Sequence, residues 1–216
     1  MGSTTTGLLG LYKPAAQEQN WDASVNANFD SIDQAIDRPL SRAFGLKTWN
    51  FEPILAGANT APTSQTIYAT PIYIPAGKVI TNVVLGISTA GSGTTPAHFY
   101  VGLASPAKMV AQSNNLNAST SLTTAGMQNF ALSATYTTNT TDSSSGLYYV
   151  VLLQDGAFGT TNPTFLNTTA QANASKAYGA GSILCGTLGT AQTALATNGT
   201  AVTVTAASVF WFAGVS

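Results

Sequence analysis

Residues 146–154 read Gly-Leu-Tyr-Tyr-Val-Val-Leu-Leu-Gln, and Leu147 to Leu153 form the longest unbroken apolar run in the chain. That run is far shorter than the roughly 18 residues needed to cross a bilayer. It is rich in β-branched and aromatic residues. Turn-forming clusters bound it, Thr140-Thr141-Asp142-Ser143-Ser144-Ser145 before and Asp155-Gly156 after, so it reads as a strand. A strand apolar at every position has no solvent face, which places Tyr148 to Leu153 at the centre of a sheet.

The same pattern repeats outward from this strand. Short β-branched or aromatic runs alternate with Gly, Asn, Ser and Thr clusters, giving candidate strands at Thr66 to Ile74, Val79 to Thr89, Ala97 to Ala104 and Lys108 to Ser113. Further candidates are Met127 to Tyr136, Gly146 to Gln154, Pro163 to Asn167, Ser182 to Leu188 and Ala201 to Ala213. Nine strands with no helical period between them predict an antiparallel β-sandwich, jelly-roll-like, over any βαβ fold. In Tyr68 to Ile74 and Val202 to Val209 the apolar residues alternate, so these strands are expected to face solvent on one side.

Composition narrows the function. Of 216 residues, 7 are Lys or Arg and 8 are Asp or Glu, so 7% are charged where a soluble domain usually carries about 25%. A net charge of −1 with 44% hydrophobic residues excludes disorder driven by charge repulsion. Without a cluster of cations to displace counterions from phosphates, nucleic-acid binding loses its basis. No run is long enough for membrane insertion. The 32 Thr residues suit exposed sheet faces, and so nearly uncharged a surface fits a subunit of a large particle or oligomer better than a free monomer.

Charge position divides the chain. Ten of the fifteen charged residues precede Pro53, the last being Lys47 and Glu52. This break predicts an N-terminal arm over 1–19, a helix and linker over 20–52 and a β-sandwich head over 53–216. Trp21, Val25, Phe29, Ile32 and Ile36 fall on one stripe of a helix, with Asn20 as N-cap and Arg38-Pro39 as stop. The last four keep a heptad alternation, and β-branched residues without a strict Leu position lean toward three strands. The alternative is a single amphipathic helix docked on its own β-domain. Before it, Leu8, Leu9, Leu11, Tyr12 and Pro14 are too apolar for a solvated tail. They either dock on another surface or add a strand to the same chain. Leu40 to Gln65 reads as a linker, partly packed through Phe44, Trp49 and Phe51.

Candidates for chemistry are few. His98 lies within Ala97-His98-Phe99-Tyr100-Val101, inside a candidate strand, and reads as a histidine satisfied within a sheet. No G-x-S-x-G nucleophile elbow occurs. Asp142 and Asp155 stand in Thr141-Asp142-Ser143 and Gln154-Asp155-Gly156, contexts that turn chemistry explains. A depolymerase would need its paired carboxylates completed by neighbouring chains. With one His and one Cys, Cys185, no metal site and no cofactor is expected, and the chain reads as a non-enzyme.

The order of parts carries a resemblance. Leu11-Tyr12-Lys13-Pro14, then Asn20-Trp21-Asp22, then Val25-Asn26-Ala27-Asn28-Phe29-Asp30-Ser31-Ile32-Asp33 resembles the N-terminal attachment segments of tailed-bacteriophage fibre and minor tail proteins. The second module, through His98 to Ala104, Met109 to Ser113 and Gly146 to Leu153, is similar to the β-sandwich domains at the ends of such proteins. The resemblance implies a virion structural protein on the tail or capsid surface. In it, Leu8, Leu9, Leu11, Tyr12 and Pro14 would dock on other virion proteins, and Trp21 to Ile36 would form a homotrimer. The β-domain would face outward to meet a host cell-surface glycan, with Tyr100, Tyr136, Tyr178 and Trp211 as possible contacts. A capsid head fibre or decoration protein with a purely architectural role is the alternative, and a polysaccharide depolymerase a more distant one.

Overall fold

The structure, a computed structural model, describes residues 4–5, 12–13, 45–51, 55–168, 186–206 and 211–216. The chain divides into two compact units, Met1–Gly45 and Leu46–Ser216. In the first unit β1 (Thr4–Thr5) pairs antiparallel with β2 (Tyr12–Lys13), Thr5 opposite Tyr12. The expected helix stripe of Trp21, Val25, Phe29, Ile32 and Ile36 lies outside the described residues, as do Leu8, Leu9, Leu11 and Pro14.

The second unit is built from β3 (Thr48–Trp49), β4 (Ala58–Thr60), β5 (Ile67–Tyr73), β6 (Val79–Thr89), β7 (His98–Ala104) and β8 (Met109–Gln112). After a short 3-10 turn at Thr120–Thr123 come β9 (Gly126–Thr137), β10 (Leu147–Asp155), β11 (Thr164–Asn167), β12 (Gly186–Gly189), β13 (Thr205–Ala206) and β14 (Ala213–Val215). They form two antiparallel sheets. The first runs β3-β14-β6-β11-β4, and β9 joins it on the free side of β6. The arrangement around β6 follows from register: Leu85 faces Ala213 of β14 and Gln128 of β9, while Ile87 faces Phe165 of β11 and Gly126 of β9. The second sheet runs β13-β12-β5-β10-β7-β8.

Why these residues make a sandwich is visible in β10. Its even-numbered residues Tyr148, Val150 and Leu152 join Ile72 of β5, Ile74 just after it, Ile80 and Leu85 of β6, Phe99 and Val101 of β7 and Phe165 of β11 in one core between the sheets. Its odd-numbered residues Tyr149, Val151 and Leu153 point to the opposite face of the sheet, where Ile67, Ala69, Met109, Leu195 and Val204 enclose them. The unbroken apolar run is therefore a strand buried on both faces, central in its sheet as its sequence predicts. The outer face of the first sheet is covered too, by Leu46 and Trp49 packed on Val84 and Phe212.

Those covers change three expectations. First, the alternation in Tyr68 to Ile74 does not mean one wet face: Ile67 and Ala69 are buried in one cluster with Leu195 and Val204 of the 190–204 segment, and only at the far end does Tyr73 emerge. Second, Ala201 to Ala213 is not one strand. Val204 packs on the outside of the second sheet, β13 extends that sheet, and β14 enters the middle of the first. Trp211 and Phe212 are buried on opposite faces, so an apparently continuous pattern serves two sheets. Third, the stretch read as a linker contributes two edge strands, β3 and β4, and Trp49 is only 2% exposed. Strands of two and three residues carry too few positions for a period of two to register.

Candidate functional site

The outer face of the second sheet carries the clearest concentration of polar, aromatic and concave features. Register sets it up. Across the sheet, Tyr100 on β7, Leu153 on β10 and Ile67 on β5 form one cross-strand row. Two residues further toward the sheet end, His98 faces Asp155, and residues two apart on a strand share a face. The His98 Nδ1 is 2.8 Å from Asp155 Oδ2, and Gln65 donates its side-chain amide to Asp155 Oδ1 at 3.0 Å. The His98 and Tyr100 rings run nearly parallel, 12° apart, with centroids at 6.0 Å. Both oxygens of Asp155 thus accept hydrogen bonds, first from His98 and then from Gln65, and this holds the carboxyl below the usual carboxylate range. The imidazole side chain is 38% exposed. Among the described residues its hydrogen bond is the one from Nδ1 to Asp155.

Gln65 connects this polar end to a covering strap. It adopts a left-handed backbone, φ 62°, uncommon for a residue with a side chain, and two backbone bonds fix it there. Its N–H donates to the Gln154 carbonyl at 2.8 Å and its own carbonyl accepts from the Gln192 N–H at 2.9 Å. Gln192 belongs to the 190–204 strap, which links β12 to β13 and packs on the outer face of the sheet. Between strap and sheet is a cleft of about 500 Å³. Ile67 and Met109 on the sheet side and Leu195 on the strap side, all buried, form its apolar base, while Gln192, Thr193 and Thr203 stand exposed at its rim. Tyr100 packs on the same apolar cluster that makes the floor.

A second polar cluster stitches loops together. Asp142 Oδ1 pairs with Lys108 Nζ at 2.6 Å, and Oδ2 accepts from Tyr136 Oη at 2.6 Å and Asn139 Nδ2 at 2.8 Å. Lys108 and Tyr136 together pull the Asp142 carboxyl down to about 2. Burial, then the bond to Asp142, pushes the Tyr136 hydroxyl well above the ordinary tyrosine range. These contacts anchor the 139–146 loop to the β7–β8 turn.

Of the residues expected to touch a glycan, Tyr100 stands on the outer face beside His98, whereas Tyr136 is committed to Asp142. Trp211 is 4% exposed and sits between the sheets against Tyr68 and Phe165, so it presents no surface for a ligand. Tyr178 lies outside the described residues, as does Cys185. The structure does not gather the expected contacts into one patch. Both aspartates also do more than turn chemistry: Asp155 ends β10 opposite His98, and Asp142 gathers three donors. Gln65, the strap and the cleft were not legible, because Gln65 precedes Asp155 by 90 residues and nothing local in the sequence links them.

Among the described residues no cluster of His, Cys, Asp and Glu could hold a metal ion. No family model, no curated protein and no solved structure matches the chain. The outer face of the second sheet therefore stands on its own geometry: a hydrogen-bonding dyad, an aromatic ring and a neutral cleft side by side.

Proposed function

We propose that this chain is a bacteriophage virion structural protein, a short tail fibre or minor tail protein that displays a jelly-roll-like β-sandwich for attachment to host-surface glycan. The single observation that carries the reading is the outer face of the second sheet, where Tyr100, His98, Gln65 and Asp155 adjoin a cleft of about 500 Å³. Aromatic, amide and hydroxyl groups on a rigid sheet suit the recognition of sugars. The order of N-terminal motifs and the scarcity of charge support the virion context.

In this reading Trp21, Val25, Phe29, Ile32 and Ile36 form a trimeric helix, and Leu8, Leu9, Leu11, Tyr12 and Pro14 dock on other virion proteins. The test has two arms. Light scattering of the full chain should give 3 × 22.1 = 66.3 kDa, falling to monomer for residues 46–216, a cut that keeps β3 in its sheet. Labelled full chain should bind whole bacteria in competition with soluble cell-surface glycan. A trimer that binds no bacterial surface and labels capsids instead would turn the reading to an architectural head fibre or decoration protein.

A further inference from the structure

We propose that the cleft beneath the 190–204 strap is the sugar subsite and that its ligand is an uncharged, N-acetylated saccharide. The inference deepens the glycan-attachment reading and rests on it. Volume comes first: about 500 Å³ falls within the range of small-molecule sites, roughly 300 to 1,000 Å³, and accommodates one or two sugar rings.

Charge decides the class. Among the described residues none of the side chains lining the cleft is charged. The nearest cation by register is Lys108, bridged to Ala201 at the cleft wall, and its ammonium is committed to Asp142 at 2.6 Å. An acidic sugar or a phosphorylated one would lose water here and gain no counter-charge, a desolvation that costs several kcal/mol per ion by order of magnitude. The carboxylate on this face, Asp155, is engaged by His98 and Gln65 and does not line the cleft, so a cationic amino sugar seated there meets no counter-charge in the wall either.

The floor decides the substituent. A plain hexose presents a C–H face that pairs best with an aromatic ring, and no aromatic side chain lines this cleft. Its floor is aliphatic and thioether, Ile67, Leu195 and Met109, a surface that suits a methyl group. The rim offers the Gln192 amide and the Thr193 and Thr203 hydroxyls, partners for an amide and for ring hydroxyls. An acetamido group satisfies both levels at once, methyl down and amide at the rim. Tyr100, outside the cleft on the same cluster, is placed to flank a second ring.

The experiment titrates the full chain, with labelled Ile, Leu and Met methyl groups, with diacetylchitobiose, cellobiose and sialyllactose. Diacetylchitobiose should shift the methyl resonances of Ile67, Met109 and Leu195, and the other two should bind about tenfold or more weakly. Ala194→Trp, which fills the cleft from an exposed position, should abolish the shifts while leaving the melting temperature in place. Absence of those shifts at millimolar sugar, equal binding of sialyllactose, or full binding by Ala194→Trp would overturn the proposal. Attachment of labelled full chain to bacteria is read separately. Attachment that diacetylchitobiose does not compete overturns the cleft assignment and leaves host attachment standing. Diacetylchitobiose seated in the cleft with no bacterium bound upholds the cleft and removes host attachment.

Discussion

His98 on β7 and Asp155 on β10 are register partners whose side chains meet at 2.8 Å, Nδ1 to Oδ2. Because Gln65 takes the second carboxylate oxygen and passes its own carbonyl to Gln192, this pair is the first link of a chain from the sheet to the strap. Acid stability follows from it. The Asp155 carboxyl is depressed in the folded protein, so its contribution is complete above the unfolded carboxylate value of about 3.9 and is lost as pH falls through the folded value. Asp155→Asn should flatten the stability curve below about pH 4, read as melting temperature against pH. An acid limb identical to that of the parent would show that the pair contributes nothing.

The Lys108–Asp142–Tyr136 cluster should act in the same direction over a wider range. Asp142 titrates at about 2, so its stabilisation is present above about pH 4 and fades only between there and about pH 2. Asp142→Ala leaves the Tyr136 hydroxyl only its long 3.4 Å contact to the Tyr148 hydroxyl and should cost on the order of 1–3 kcal/mol at neutral pH. Urea unfolding checks it. Tyr136→Phe should leave the phenolate absorbance rise near pH 10 unchanged, since Tyr136 ionises only above the ordinary range.

Burial on both faces of β10 gives a paired prediction. Leu152 lies between the sheets and Leu153 under the strap, at 4% and 0% exposure. Each changed to Ala should cost about 2–5 kcal/mol. In a sheet with one wet face the outer position would cost within about 0.5 kcal/mol. A small effect at Leu153 alone would mean that the strap is not seated in solution.

Gly186 on β12 probes the root of the strap, where the chain leaves the sheet. A Cβ there would collide with the Thr205 carbonyl oxygen and the Val204 side chain, since β12 and β13 approach too closely for any side chain. Gly186→Ala should remove hydrogen-exchange protection at Thr187 and Leu188 and leave the amides of β7 and β10 protected. Uniform loss across both sheets would place the strap inside the cooperative core rather than on it.

Legibility tracked how local each signal was. Val79 to Thr89 reads as a strand from its own residues and is one, because seven of its eleven positions are Val, Ile or Thr and declare themselves without reference to partners. The alternation in Val202 to Val209 declares a strand equally well. It misleads because Val204 answers to the outer cluster of one sheet and Trp211 to the space between the two. Trp211 draws the eye as a surface aromatic for the same reason: sequence gives residue type, whereas exposure depends on which element lies above it. The His98–Asp155 pairing needs the register of strands separated by 57 residues, and the cleft needs a strap with no regular period.

β14 lies between β3 and β6, and Asn50 is tied to Ala213 across a sequence separation of 163. The first sheet therefore stays open along β6 until residues 213–215 have been synthesised and have threaded into place. Contacts this distant make folding slow, on the millisecond-to-second scale typical of such topologies. During that interval an uncharged, β-prone strand edge is available to any neighbouring nascent chain. Yield of the native protein should then depend on chain concentration during synthesis as much as on final stability, which favours slow, dilute expression or a chaperone that shields β6 until its last partner arrives.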